Sequence, residues 1–445
     1  MDGSVIFERP AASEIEVSRA VKKAREAFPK WSALPLEERL DFLRRFTERM
    51  VEKTDVLAPE ISQMMGRPVS QTPGEMRGFQ ERALKMIELA PEALRSIEVE
   101  PGRRVERLPR GLVFVVAAWN FPYLIAVNSI VPALAAGNVV LLKHSSQTLA
   151  CAERFAEAFQ EIGLPEGVFG VLHLNHQTTE DLVSSGECDM VSFTGSVGGG
   201  RSIHRAASGT FVPVGLELGG KDPAYVRADA DLDFSAVNLA DGAFFNSGHS
   251  CCGIERIYVH QSRYDEFVDR LVEQARGLKL GDPMDSATSL GPMVRTKAAD
   301  YVRAQMREAE SLGAQALLKM GLGEGAFLPP EIFVDVHHGM ELMREETFGP
   351  VVGVMAVESD EEAVLLMNDS RYGLTASIWT ADLHKAERLG RKIHTGTVFA
   401  NRCDYLDPSL AWTGVKDSGS GCTLSRLGYE QLTRPKSYHL REVPQ

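Results

Sequence analysis

Apolar and polar positions along the first ninety residues repeat on a helical period. Ser13 and Glu16 stand three apart, ahead of an apolar-periodic run reaching Ala27. That spacing predicts a capping box, in which hydroxyl and carboxylate each satisfy a free backbone N–H at the helix start. Pro35-Leu-Glu-Glu opens a second helix, with acidic residues where the helix dipole favours them. Around Pro101-Gly102 the period shortens to two, over 96–100 and 103–108, as in a polar hairpin. A hairpin buries little by itself, and the alternating residues 437–443 are its candidate partner.

From Gly111 short, continuous apolar runs at 112–117, 139–142, 168–172, 190–193 and 212–216 alternate with helical stretches. Helices are predicted over 123–136, closed by Gly137-Asn138, and over 148–162, closed by Gly163 with Pro165 beyond. Strands apolar on both faces and separated by helices mean a parallel sheet covered on both sides. Ligands of such sheets sit beyond the carboxyl ends of the strands. Asn120, Lys143, Ser196 and Glu217 follow or end those runs and are the residues to inspect. A second alternating segment, from about 256 to 401, has strands at 257–260, 351–356, 375–379 and 397–400 and reads as a second α/β domain.

Composition narrows the classes. A chain of 445 residues with 44% hydrophobic and 24% charged residues suits two or three domains with ample cores. Lys plus Arg is 48 and Asp plus Glu is 61, a net charge of −13, which argues against a nucleic-acid partner. No apolar run is long enough for a membrane span, and the first residues lack the pattern of a secretory signal. The six cysteines show neither zinc-site spacing nor a disulfide framework. A cytoplasmic enzyme without a metal is the expectation.

Four places could carry chemistry. Cys251 lies in the turn Asn246-Ser-Gly-His-Ser-Cys251-Cys252, where a backbone-rich loop would favour the nucleophilic thiolate; the alternative is a small buried hydrophobe. Glu217, in Glu217-Leu-Gly-Gly-Lys221, is a carboxylate at the end of an apolar strand, hence either a general base of raised pKa or an ion pair with Lys221. Asn120, between Trp119 and Phe121-Pro122, offers an amide to a developing oxyanion, or simply turns the chain. Phe193-Thr-Gly-Ser196 with Gly198, Gly199 and Gly200 joins a strand to a helix start, a place that favours phosphate, or a plain turn.

Taken together and in order, these motifs, with Arg256 after Cys251 and with Glu346-Thr-Phe348-Gly-Pro, resemble the aldehyde dehydrogenase superfamily. Gly281-Asp-Pro, Leu290-Gly-Pro, Tyr372-Gly-Leu and Gly414-Val-Lys-Asp-Ser-Gly are similar to that family as well, so the resemblance spans almost the whole chain. It implies an α/β fold with a Rossmann-type cofactor domain (1–95 and 110–218), an α/β catalytic domain (219–412) and a small β oligomerisation arm (96–109 and 430–445). It also implies oxidation of a small-molecule aldehyde with NAD or NADP. Cys251 would form a thiohemiacetal and then a thioester, Asn120 and the Cys251 N–H would hold the oxyanion, and Glu217 would activate water.

By the same resemblance, Trp119 and Ser196 would meet the cofactor pyrophosphate, with Gly195 and Gly200 permitting close approach. Lys143 would bind the adenosine ribose, Glu346 the nicotinamide ribose, and Phe348 would pack beside the ring. NAD-preferring relatives carry a glutamate where Ser146 stands here. Without that carboxylate, NADP should be tolerated. Phe121, Leu124, Asn128, Phe245, Cys252 and Trp412 would line the substrate pocket, favouring uncharged aldehydes, whereas an inward Arg402 would favour a semialdehyde with a carboxylate.

Departures from the family pattern are His249 in place of Gln, the glycine run at 198–200, Trp412 in place of Phe, Thr413 in place of Gly, and N-terminal strands expected to be truncated. The implied assembly is a homodimer or homotetramer, with the 96–108 hairpin and the 437–443 strand expected to pair across subunits. Two other functions are weighed against the hydrolytic one. A CoA-acylating enzyme would not need Glu217, and a silent homologue would not need Cys251, Glu217 and Asn120 together.

Overall fold

The computed structural model describes residues 4–442; residues 1–3 and 443–445, with Val443 of the predicted terminal strand, lie outside the described residues. The capping box forms as the spacing predicts, the Glu16 carboxylate accepting from the Ser13 N–H at 2.7 Å and the Ser13 hydroxyl from the Glu16 N–H at 3.3 Å. The helix it starts, Glu14–Ala33, runs past the expected end and through Pro29. Tertiary packing extends it: Trp31 is buried and its indole N–H donates to Leu134 O at 3.1 Å.

Strands of the described residues form three sheets. The first has the order Gly419–Ser420, Val214–Glu217, Met190–Thr194, Leu112–Ala117, Val139–His144 and Phe169–Val171, parallel except for the short 419–420 edge. After Leu112–Ala117 the chain first builds outward through Val139–His144, then returns to the other side with Met190–Thr194. The loops leaving Leu112–Ala117 and Met190–Thr194 therefore flank a topological switch point, where α/β sheets bind ligands. These loops carry Trp119-Asn120 and Gly195-Ser196.

The second sheet has the order Gln315–Ala316, Glu331–Val334, Val351–Val357, Ile254–His260, Asp222–Val226, Thr375–Trp379 and Thr397–Ala400. Three of its strands, Asp222–Val226, Gln315–Ala316 and Glu331–Val334, are not legible in the apolar pattern. Asp222–Val226 opens with Asp-Pro, a pair that argues against a central strand. A register shift between Asp222 and Pro223 accommodates the proline, and Thr375 donates to the buried Asp222 carboxylate through its N–H at 3.1 Å and its hydroxyl at 2.5 Å.

The third sheet joins the hairpin Ile97–Glu100 and Arg103–Pro109 to Thr433–His439, all antiparallel. This pairing is within one chain, which corrects the expected pairing of these segments across subunits. Residues 433–439 run opposite 109–103 in continuous register, so the facing backbone groups of the two strands satisfy each other inside the subunit. No described helix is long and apolar enough to cross a membrane.

Candidate active site

Three left-handed residues in succession, Asn246 (φ 52°), Ser247 (φ 57°) and Gly248 (φ 73°), lead into Cys251. Such backbone is costly for side-chain-bearing residues and persists only where the surroundings enforce it. Gly248 has no alternative, since a Cβ there would lie 2.2 Å from Gly349 O. Asn246 is locked from its side chain: its Nδ2 donates to Asn120 O at 3.1 Å and to His249 O at 3.3 Å, while its Oδ1 accepts from Arg67 Nε at 3.0 Å.

Arg67 also donates to Asn120 O and pairs with Glu75 at 2.5 Å, both side chains fully buried. The other Glu75 oxygen accepts from Tyr123 N at 2.8 Å and Leu124 N at 3.4 Å, the first free N–H groups of helix Pro122–Ala135. One buried ion pair thus holds the Asn120 loop, the following helix and the Cys251 loop in a fixed relation. Nothing in the local sequence around Arg67 or Glu75 signals this, because the groups the pair holds, on Asn120, Tyr123 and Asn246, are far away along the chain.

Cys251 is half-buried, and two cavities meet at it, of about 420 and 470 Å³. Both are also lined by Ile125, Thr194, Glu217 and Leu218. The Asn120 amide donates one N–H to His249 O at 3.2 Å, leaving the second uncommitted. The Cys251 N–H donates to no backbone carbonyl among the described residues.

Glu217 is not paired with Lys221, whose ammonium goes instead to Glu255 Oε2 at 2.6 Å and Thr347 Oγ1 at 2.8 Å. Glu217 accepts from Thr423 Oγ1 at 2.5 Å, and burial raises its pKa to about 7, partly offset by hydrogen bonds from Thr423 and Trp412 and by the Arg82 charge. A carboxyl with that value exchanges protons near neutral pH, as a general base requires. Glu255 in turn accepts from Thr347 N and Phe348 N at 2.8 Å each, which fixes the loop carrying Glu346 and Phe348.

The 420 Å³ cavity is lined by Trp119, Asn120, Gly195, Ser196, Glu346 and Phe348. His249 packs edge-on to Trp119, with centroids 4.9 Å apart. It is buried and has no hydrogen-bond partner at Nε2 among the described residues. Burial and the Arg67 charge push its pKa to about 3, so it stays neutral at mildly acid pH. Burial also raises Glu346 to about 8.

An adjoining cavity of about 520 Å³ carries Lys143, Ser146, Gly198 and Gly199, and shares Trp119, Gly195 and Ser196 with the first. Ser196 caps helix Val197–Ala207, its hydroxyl accepting from Gly199 N at 3.2 Å. Gly200 does not line either cavity; a Cβ there would meet Leu218 at 2.5 Å, so this glycine serves helix packing. Lys143 forms no ion pair among the described residues, and Arg295, invisible to the sequence reading, lines both cavities. The capped helix start, its small glycines and the free cations fit a dinucleotide. Phe121, Leu124, Asn128, Phe245, Cys252 and Trp412 all line the 470 Å³ cavity on the other side of Cys251. Arg402 does not, since it stacks on Tyr405 at 3.4 Å from the ring centre.

The model of the aldehyde dehydrogenase family matches residues 1–438. The chain belongs to the aldehyde dehydrogenase family. As a member it is an NAD(P)-dependent oxidoreductase acting on aldehydes. Succinate semialdehyde dehydrogenase [NAD(P)+] Sad of Escherichia coli (strain K12) is 31% identical over 433 residues, covering 95% of this chain and 93% of that protein. Betaine aldehyde dehydrogenase of Rhizobium johnstonii is 33% identical over 451 residues, covering 99% and 93%. Among solved structures, an NAD-dependent aldehyde dehydrogenase from Sinorhizobium meliloti superposes with TM-score 0.93 at 33% identity, covering 98% of this chain and 89% of that one. Among the described residues of this aldehyde dehydrogenase, no group of three or more His, Cys, Asp or Glu is placed to hold a metal.

Proposed function

We propose that this aldehyde dehydrogenase is of the hydrolytic kind, releasing a free carboxylic acid. The observation that carries the reading is that Cys251 and Glu217 both lie on the wall shared by the two cavities. The Cys251 thiolate adds to the aldehyde carbonyl, and the oxyanion of the thiohemiacetal is met by the free N–H of Asn120 and by the Cys251 N–H. Bound NAD(P)+ supplies the hydride acceptor. Trp119, Ser196 and the start of helix Val197–Ala207 hold its pyrophosphate, Lys143 the adenosine ribose, and Glu346 and Phe348 the nicotinamide end. Once the hydride has left, Cys251 carries a thioester, and Glu217 takes a proton from the water that cleaves it.

The six-stranded sheet then serves the cofactor, the seven-stranded sheet the nucleophile, and the three-stranded sheet is the arm for a homodimer or homotetramer in the cytoplasm. NADP is accepted beside NAD, because Ser146 lines the adenosine-side cavity where a glutamate would repel a 2′-phosphate, leaving Glu180 as the one carboxylate on that wall among the described residues. A water-activating carboxylate beside the thiol supports hydrolysis over transfer to CoA. The test is NAD(P)H absorbance with a panel of aldehydes and both cofactors, Cys251→Ala serving as control, and with the product analysed. Free acid from the wild type alone is the expected result. Acyl-CoA without free acid would reverse the choice, and cofactor binding with no turnover on any aldehyde would mean a silent homologue.

Similarity does not select the aldehyde. The relatives named for succinate semialdehyde and for betaine aldehyde match at 31% and 33% identity, and those two substrates bear opposite charges.

A further inference from the structure

We propose that Arg82 reads a negative charge on the substrate, so that short aldehydes carrying a carboxylate are the preferred ones. The inference rests on the reading of the 470 Å³ cavity as the substrate side. Arg82, on helix Thr72–Ala93, lines that cavity with Phe121, Leu124, Phe245 and Trp412. Its Nη1 donates to Leu124 O at 3.2 Å and to Asn128 Oδ1 at 3.4 Å, both neutral acceptors on one neighbouring helix. These bonds aim the guanidinium without neutralising it. Arg82 forms no ion pair among the described residues, unlike Arg67, which has Glu75. A half-buried cation without a counter-ion is costly, and a ligand that supplies the anion removes the cost.

Among the described residues, the acidic groups on this wall form no ion pair with Arg82, although its charge acts on Glu217 and Asp404. Asp404 accepts from Ser250 Oγ at 2.5 Å and Cys252 Sγ at 3.1 Å, and burial raises its pKa toward the neutral form. Glu81 takes the Tyr405 hydroxyl at 3.1 Å, Glu217 holds Thr423, and Asp241 is exposed at the rim. Arg77, also on this wall, forms no ion pair among the described residues either, which adds to the positive side. A guanidinium presents paired N–H donors in the plane that a carboxylate fills with two parallel bonds. The apolar side chains beside it suit a short aliphatic spacer. Arg82 and Cys251 line the same cavity of about 470 Å³, which suits a spacer of a few carbons.

The test compares kcat/KM for three aldehydes of equal chain length, ending in a carboxylate, in its methyl ester, or in a trimethylammonium group. The wild type should prefer the carboxylate. Arg82→Ala should lower the carboxylate-to-ester ratio about ten- to a hundredfold, mainly through KM, and Arg82→Lys should retain part of it. An unchanged ratio in Arg82→Ala overturns the proposal, as does a wild type that prefers the ester or the cation. That second arm needs no variant to fold. Failure of the underlying activity looks different, with no NAD(P)H formed even from the ester, and would overturn both readings.

Discussion

The cavities on either side of Cys251 are built in different ways. Those on the cofactor side are walled by turns at strand ends, with Gly195, Ser196, Gly198 and Gly199 beside Trp119 and Phe348. The one on the substrate side is walled by larger side chains from separate stretches of chain, among them Arg82, Phe121, Phe245, Asp404 and Trp412. A shared cofactor is read by backbone geometry that recurs with the fold. On the proposed substrate side the wall is made of side chains, which substitution changes without moving the backbone. The residues between, Cys251 and Glu217, must serve both sides.

That division can be broken most sharply at the shared wall. Cys251→Ala should lower aldehyde oxidation by at least about 10⁴-fold while leaving NAD(P) affinity, measured by tryptophan fluorescence, close to that of the wild type. Loss of cofactor binding would show that the two sides are not separable there. Glu217→Gln should retain a rapid burst of NAD(P)H but slow the steady state about 10²- to 10⁴-fold. In the wild type, Glu217 is raised from its ordinary value to about 7, so its basic form fills as pH rises through that value. Hydrolysis-limited turnover should climb across the same range, and stopped-flow profiles showing a falling rate would remove Glu217 as the base.

Glu75→Ala tests the ion pair that ties the sides together. Leaving Arg67 buried and alone should cost about 3–5 kcal/mol of stability, seen as a lower Tm and an earlier urea midpoint. Because Arg67 also holds Asn120 and Asn246, turnover of every aldehyde should drop together, whereas a change confined to one substrate would place Glu75 on the substrate side only. The smallest effect is expected at Ser146→Glu, far out on the cofactor side. It should shift preference from NADP toward NAD about tenfold, with the ranking of aldehydes unchanged. Equal kcat/KM ratios in variant and wild type would dismiss the role of this position.

Legibility in the sequence follows the same line. Strands at Leu112–Ala117, Thr375–Trp379 and Thr397–Ala400 lie where the apolar runs predict them, and the others are displaced by a few residues. Asp222–Val226 is hidden by its proline, and the packing of Gly200 on Leu218 is equally hidden, because neither a bulge nor the position of Leu218 is written locally. Cys251, Glu217 and Asn120 are legible as candidates because each sits in a short motif at a strand end or turn. Arg67, Glu75, Glu255 and Arg82 are not, since each acts through a partner remote in sequence.

Periodicity and turn chemistry are local properties of the chain, so the alternation of strands and helices is read from them, while motifs in order carry the resemblance to the family and point to the candidate nucleophile, base and oxyanion donor. That Lys221 serves Glu255 rather than Glu217, that residues 433–439 pair within their own subunit, that His249 is buried neutral, and that Arg82 rather than Arg402 lines the 470 Å³ cavity emerges only from the folded chain. Charge pairing, burial and orientation depend on which distant segments come together, and packing of the whole chain is what brings them there.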